Sequence, residues 1–83
     1  MANTIWLEYK NKLEKTFHFN DYNDIIVFVN QVMQIANNQN HHPEISVHFD
    51  FVTIRITDYE SGAVSEKCHR FVSEVDEILP GTI

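Results

Sequence analysis

The fold is decided by the stretch from Thr4 to Asn38, TIWLEYKNKLEKTFHFNDYNDIIVFVNQVMQIANN. Up to Phe19, apolar residues recur at every second position on either side of the polar segment 10–12. This alternation is typical of two strands joined in a β-hairpin. From Asp21 onward the apolar residues recur at every third or fourth position, as they do on one side of a helix. The stretch therefore predicts a hairpin followed by an amphipathic helix.

Both elements come with predicted buried and exposed sides. The hairpin is expected to have an apolar face formed by Ile5, Leu7, Tyr9, Leu13, Phe17 and Phe19. Lys15 interrupts that face, which favours a partly exposed or edge strand, and Trp6 is interpreted as an aromatic cover of the sheet. The helix is expected to be capped by Asn20 or Asp21. Its predicted buried stripe comprises Ile25, Phe28, Val29, Val32, Met33 and Ala36.

The second half of the chain repeats the order of hairpin and helix. A polar segment ending at Pro43 stops the first helix, and two alternating runs follow at 45–49 and 52–56. A second amphipathic stripe starts after Ser65, a suitable N-cap, and Pro80-Gly81 is expected to end that helix. The order β-β-α-β-β-α predicts an α+β fold, with a four-stranded antiparallel sheet and two helices packed on one face.

Length and composition limit the class of protein. The chain has 83 residues, of which 43% are hydrophobic, so residues 1–83 are expected to form a single folded domain. Its formal charge of −6 opposes the phosphate backbone, which argues against direct nucleic-acid binding. No apolar run reaches the roughly 18 residues of a membrane span. A single cysteine and the lack of a signal-peptide pattern favour the cytoplasm.

The residues that could carry chemistry are five histidines and one cysteine: His18, His41, His42, His48, His69 and Cys68. None of their spacings matches a metal site, so no metal is predicted. Cys68 and His69 are neighbours on a helix, where their side chains diverge by about 100°, so they are not expected to act as a nucleophile and base. Cys68 is instead expected in the core, and His18, His48 and His69 are expected to be solvated.

The segment His41-His42-Pro43-Glu44 joins the first helix to the third strand and has two interpretations. It can be a polar loop in which proline stops the helix and the histidines are solvated. It can also be a proton-transfer site, because imidazole titrates near neutral pH and loops on a rigid sheet often carry such residues.

The segments FHFNDY at 17–22 and HHPE at 41–44, with the elements between and after them, resemble the pterin-4a-carbinolamine dehydratase family. The resemblance covers the chain from about Trp6 to Leu79. It implies dehydration of 4a-hydroxytetrahydropterin to quinonoid dihydropterin, a lyase reaction that recycles the tetrahydrobiopterin cofactor of aromatic amino-acid hydroxylases without metal or cofactor. It also implies catalytic roles for His41 and His42. Family members usually carry an additional N-terminal helix, which this chain is expected to lack.

Three positions depart from the family pattern. The family's third active-site histidine aligns with Tyr59, an acidic residue before the histidine pair aligns with Asn37, and an aspartate of the last helix aligns with Cys68. Asp76 cannot replace that aspartate, because eight helical residues separate the two positions by roughly 12 Å. A phenol with a pKa near 10 is a poor base but a possible acid or hydrogen-bond donor, so Tyr59 is expected to contact substrate.

Three functions remain open on these grounds. The first is a dehydratase that uses His41 and His42, with activity weakened by the three departures. The second is a catalytically impaired protein that binds a pterin or a protein partner, as in family members that serve as dimerisation partners of transcription factors. The third is a dehydratase acting on a different pterin. Wide apolar helix surfaces and the resemblance together imply a homodimer or homotetramer.

Overall fold

The computed structural model describes the backbone of residues 5–82 and the side chains of residues 5–78. Its elements are β1 (Leu7–Tyr9), β2 (Lys12–His18), α1 (Tyr22–Gln39), β3 (Glu44–Val47), β4 (Phe51–Ile56) and α2 (Glu66–Thr82). The four strands form one antiparallel sheet in the order β1-β2-β4-β3. The predicted α+β fold and its element order are confirmed. The start of β1 predicted at Thr4 lies outside the described residues, and the lack of a further N-terminal helix stays a prediction.

The first hairpin is closed by a two-residue turn at Lys10 and Asn11. Their φ angles are 52° and 63°, and Tyr9 pairs directly with Lys12. Two consecutive left-handed residues are the geometry of a type I′ turn, whose twist matches that of the strands it joins. The turn therefore fixes the register of β1 against β2, and its backbone reaches the end of β4, as described below.

The core lies between one face of the sheet and the two helices. Phe28 of α1 is fully buried at its centre, and its ring centroid lies 4.8 Å from that of Phe17 and 5.2 Å from that of Phe19. The buried apolar residues are Leu13, Phe17, Phe19, Ile25, Phe28, Val32, Ala36, Val52, Ile54, Ile56, Cys68, Phe71, Val72 and Val75. One contiguous cluster therefore joins β2, β4, α1 and α2.

The face assigned to β1 from the sequence is wrong. Leu7 pairs with Glu14, so the odd-numbered residues of β1 lie on the outer face of the sheet, away from the helices. Ile5, Leu7 and Tyr9 are accordingly exposed. Trp6 packs against the core instead, with its ring edge-on to Phe17 at a centroid distance of 5.8 Å. Its interpretation as an aromatic cover of the sheet is confirmed.

Lys15 does not mark an edge strand, because β2 lies between β1 and β4. Its side chain is only 11% exposed and lies on the face that the helices cover. The Lys15 ammonium donates to Asp76 Oδ1 at 3.1 Å and lies 5.0 Å from the centroid of the Phe17 ring. Trp6 Nε1 donates to the same carboxylate at 3.0 Å. A partner on α2 thus satisfies a lysine that the strand pattern alone assigns to solvent.

The helices follow the predicted stripes, except at Val29, at Met33 and at the end of α2. Asp21 caps α1, since its Oδ1 accepts the Asn23 N–H at 2.9 Å. Val29 is only partly buried and Met33 is 50% exposed, because the sheet and α2 cover just one side of α1. The α2 helix continues to Thr82, past Pro80, since a proline near a helix end removes only one backbone hydrogen bond. No helix within residues 5–82 has the length and hydropathy needed to cross a membrane.

Candidate active site

The end of α1 determines where His41 lies. Asn40 adopts the left-handed conformation, with φ 53° and ψ 43°, and its N–H points to the carbonyls of Ala36 and Asn37. The backbone N–H of His41 also donates to the Ala36 carbonyl, at 3.0 Å. Asparagine tolerates this conformation better than most residues with a side chain. The helix cap therefore holds the His41 backbone directly.

The His41 side chain is buried, with 6% of its surface exposed. Its Nε2 lies 2.8 Å from the Thr57 carbonyl oxygen at the end of β4. Because a carbonyl oxygen only accepts, Nε2 must carry a proton, and the neutral ring then has its lone pair on Nδ1. Nδ1 is buried and has no hydrogen-bond partner among the residues that the structure describes. An unpaired buried polar atom costs about 1–3 kcal/mol, so this atom is the one place where the ring needs a further partner.

His41 forms part of the wall of a shallow cleft of about 190 Å³. The cleft is lined by Asn40, His41, His42, Asp58, Tyr59, Glu60 and Lys67. The structure thus brings together His41, His42 and Tyr59, the three site residues expected from the resemblance. His42 and Tyr59 are both exposed, so their polar atoms are open to solvent. The cleft combines one buried imidazole with one exposed imidazole and one phenol.

The other two departures from the family pattern lie away from the cleft lining. Cys68 is fully buried among the core residues of α2, as its place on the apolar stripe predicted. Asn37 is exposed on the last turn of α1. Neither Asn37 nor Cys68 supplies a carboxylate near His41. Among the described residues, no group of three or more histidine, cysteine, aspartate or glutamate side chains is arranged to hold a metal ion.

Asp58 supplies the structural support of the loop that carries Tyr59. Its backbone pairs with Ala63, and Gly62 completes the turn with a φ of 76°, which favours glycine. A hydrogen bond from the Ser65 side chain lowers the pKa of Asp58 below its ordinary value of 3.8, and the Glu60 backbone N–H acts in the same direction. The ionised carboxylate therefore stabilises the fold above that ordinary value. The contribution is lost as the pH falls through the lowered pKa.

Sequence reasoning missed four of the lining residues, Asn40, Asp58, Glu60 and Lys67, and the supporting residue Thr57. Asp58, Glu60 and Lys67 look like ordinary solvated charges in the sequence, and Thr57 looks like the polar end of a strand. A signal was available for Asp58 and Glu60, because they flank Tyr59. Lys67 lies in the first turn of α2, and only the three-dimensional fold brings it to the cleft.

Comparison with known proteins agrees with this fold. The sequence model of the family described as "Pterin 4 alpha carbinolamine dehydratase" matches residues 2–78. A protein of Sulfurisphaera tokodaii is 31% identical over 74 residues, which are 89% of this chain and 80% of the relative. One of Stenotrophomonas maltophilia is 37% identical over 71 residues, 82% of this chain and 61% of that protein. Both relatives carry the provisional name pterin-4-alpha-carbinolamine dehydratase.

Two solved structures share the fold. A "transcriptional coactivator/pterin dehydratase" from Brucella melitensis aligns with a TM-score of 0.84 and 20% identity, over 88% of this chain and 80% of that one. A "pterin dehydratase-like protein", identified as a RuBisCO assembly factor in the α-carboxysome, aligns with a TM-score of 0.77 and 22% identity, over 90% and 89%. The fold is thus that of a pterin dehydratase-like domain. The chain belongs to the pterin-4-alpha-carbinolamine dehydratase family.

Proposed function

We propose that this protein dehydrates 4a-hydroxytetrahydropterin to quinonoid dihydropterin. The observation that carries the proposal is the unpaired Nδ1 of His41, a buried imidazole lone pair in a residue that lines the cleft. A histidine with a purely structural role gains nothing from an orphaned acceptor. A base that awaits a substrate proton has a use for it, because imidazole exchanges protons near neutral pH. No metal or cofactor is needed for this chemistry.

The reaction requires one proton to be delivered and one to be removed. The C4a–O bond breaks with its electron pair leaving on oxygen, and an acid protonates that oxygen so that it departs as water. A base takes a proton from the pterin ring, and the electron pair of that bond forms the new double bond. We assign the base to His41 Nδ1. His42 then positions the substrate or provides the partner proton transfer, and Tyr59 donates a hydrogen bond or the proton.

The decisive experiment is stopped-flow absorbance of freshly generated 4a-hydroxytetrahydropterin, with and without the protein. A dehydratase accelerates the decay of the substrate above its spontaneous rate in proportion to protein concentration. An unchanged decay rate at micromolar protein would remove the enzymatic function and leave the binding function described below.

Replacing Tyr59 by histidine is expected to raise the turnover number about tenfold. Tyr59 is proposed to donate a hydrogen bond or a proton, and an imidazolium, with an ordinary pKa of about 6.5, is a much stronger acid than a phenol with an ordinary pKa of about 10. Tyr59 is 66% exposed, so the substitution changes stability little. The measurement is kcat by stopped flow at pH 7, with Tyr9→His as a control at an exposed tyrosine of β1.

The result that contradicts this role is an unchanged or reduced kcat in the Tyr59→His variant while its thermal midpoint stays that of the wild type. In that case Tyr59 already supports the reaction as well as a histidine does, or it takes no part in proton transfer.

A binding function without turnover is the second candidate, and the position of Cys68 favours it. The Cys68 thiol stands where the family pattern has an aspartate, so this position does not support the basicity of the site histidines. The related structures include a protein named as a transcriptional coactivator and one named as a RuBisCO assembly factor. Saturable binding of a stable dihydropterin without substrate acceleration is the result expected for this candidate. The cytoplasmic location and the lack of direct nucleic-acid binding stay predictions from composition.

Self-association into a homodimer or homotetramer is part of the proposal, and α1 is the surface that supports it. Its residues Tyr22, Ile26, Val29 and Met33 follow one another at helical spacing along a side left largely uncovered, with Ile26 and Met33 about half exposed. No Asp, Glu, Lys or Arg occurs from residue 25 to 43. In a chain of net charge −6, two copies can approach along this face with little like-charge repulsion.

An Ile26→Glu variant is expected to shift the protein from an oligomer toward the monomer. A buried, unpaired carboxylate at an apolar interface is costly enough to raise the dissociation constant at least tenfold. Light scattering coupled to size exclusion measures the mass. Asn38→Glu is the matched control, because it adds the same charge to an exposed position of the same helix. A wild-type protein that is monomeric at 100-fold dilution and at high concentration alike contradicts the oligomer.

A further inference from the structure

Thr57 links the candidate site to the turn of the first hairpin, which lies at the same end of the sheet. It follows β4 directly and is 7% exposed. Its carbonyl oxygen accepts from His41 Nε2 at 2.8 Å, and its hydroxyl donates to the Asn11 carbonyl at 2.7 Å. Asn11 belongs to the tight turn between β1 and β2. A continuous chain of hydrogen bonds therefore runs from that turn, through one buried threonine, to the imidazole in the cleft wall.

The direction of the Thr57 carbonyl decides which nitrogen of His41 carries the proton. An oxygen facing Nε2 at hydrogen-bond distance excludes the tautomer that has its lone pair there, because two acceptors repel. The proton stays on Nε2, and the lone pair stays on Nδ1. A carbonyl moved beyond hydrogen-bond distance would leave both tautomers accessible.

The hydroxyl of Thr57 is well placed to fix that direction. The ladder between β2 and β4 ends at the pair Leu13 and Ile56, so no regular strand pairing holds the next residue. Beyond it the chain turns away, and the Asp58 N–H bonds to Ala63 rather than to β2. The bond from the Thr57 hydroxyl to Asn11 is thus the side-chain contact that holds this peptide against the first hairpin.

We propose that Thr57 is a positioning residue that locks His41 in the Nε2–H tautomer, so that the lone pair stays on Nδ1. The inference rests on the proposed function only in one respect: the proposed substrate supplies the proton that Nδ1 accepts. The tautomer itself is a property of the protein without substrate. Thr57 acts through His41 and is not a lining residue of the cleft.

The test is the tautomeric state of His41 in the Thr57→Val variant, read from the two imidazole ¹⁵N shifts of the neutral ring. Valine keeps the shape of threonine and removes the hydroxyl. Thr53→Val is the matched control, because Thr53 lies on β4 shortly before Thr57, is also 7% exposed, and forms a side-chain hydrogen bond with the Thr16 hydroxyl at 2.9 Å. Thr57→Ser keeps the hydroxyl, and it is expected to restore the wild-type spectrum.

In the wild type and in Thr53→Val, His41 is expected to show a single Nε2–H tautomer. In Thr57→Val the two ¹⁵N shifts are expected to move toward each other as the second tautomer becomes populated. If the protein is an active dehydratase, kcat falls about fivefold in Thr57→Val with KM nearly unchanged, the equivalent of one net hydrogen bond. Thr57→Cys, a weaker donor of similar volume, gives an intermediate effect and serves if the valine variant does not fold.

Wild-type ¹⁵N shifts for His41 in a folded Thr57→Val variant overturn the proposal, even if its activity falls, since Thr57 then contributes only to stability. Equal shifts in Thr53→Val overturn it as well, because the effect is then not specific to this contact. A wild type without dehydratase activity refutes the proposed function but leaves the tautomer measurement intact, so the two failures are distinguishable.

Discussion

Replacing His41 by alanine is expected to slow the dehydration of 4a-hydroxytetrahydropterin by roughly 10²–10⁴-fold, toward the spontaneous rate, which is the usual contribution of a positioned acid or base. The physical reason is that His41, among the described residues that line the cleft, is buried and has an unpaired acceptor atom. The lone pair on Nδ1 cannot be replaced by water at the same position and orientation. The measurement is stopped-flow absorbance at pH 7 under single-turnover conditions.

The matched control is His69→Ala, because His69 is an exposed histidine of α2 and is not among the residues lining the cleft. A His41→Gln variant separates chemistry from folding, since the glutamine amide can still donate toward the Thr57 carbonyl while lacking a titratable lone pair. Activity close to that of the wild type in a folded His41→Gln variant excludes His41 as the base. Proton transfer then belongs to His42, whose imidazole is open to solvent.

Replacing Phe28 by alanine is expected to lower the free energy of unfolding by about 3–5 kcal/mol, as is typical of a large aromatic removed from a core. Phe28 is completely buried, and its ring packs on both Phe17 and Phe19, so the cavity cannot be filled from solvent. Small domains have a total stability of about 5–15 kcal/mol. Urea unfolding followed by circular dichroism measures the change, and the variant is expected to be close to its folding threshold at 37 °C.

Met33→Ala is the control on the same helix. Met33 falls on the apolar pattern of the sequence, but it is 50% exposed in the structure. Its truncation is expected to change the unfolding free energy by no more than about 1 kcal/mol in the monomer. If both variants lose several kilocalories per mole, α1 is covered on both sides in solution, and the self-association proposed above contributes to stability.

The sequence was sufficient for the elements and their order because each element carries its own period of apolar residues. It was insufficient to predict which face of the sheet a side chain lies on, as β1 shows. Ile5, Leu7 and Tyr9 are the more apolar set, but the pairing of Leu7 with Glu14 turns them outward and leaves Trp6 to pack on the core. Register is a long-range property that three residues of strand cannot specify alone. Lys15 is a similar case, because its partner Asp76 is 61 residues away in the chain.

For the site, the sequence predicted which residues lie together but not which of them are buried and which are exposed. His41, His42 and Tyr59 line one cleft, as the resemblance led us to expect. The burial of His41 and the exposure of His42 follow from the left-handed Asn40 and from the carbonyl of Thr57. Neither contact leaves a periodic signal in the sequence. Cys68 could be assigned to the core from its helical stripe, because that assignment needs only local spacing.

The cap at the end of α1 has a consequence for local unfolding. The His41 N–H donates to Ala36, so the residue assigned to proton transfer is also one of the last backbone donors of the helix. Any opening that frees the His41 backbone must therefore fray the final turn of α1, and any fraying of that turn displaces the imidazole. The time for which the His41 imidazole keeps its position is therefore set by the opening rate of a helix end rather than by that of a surface loop.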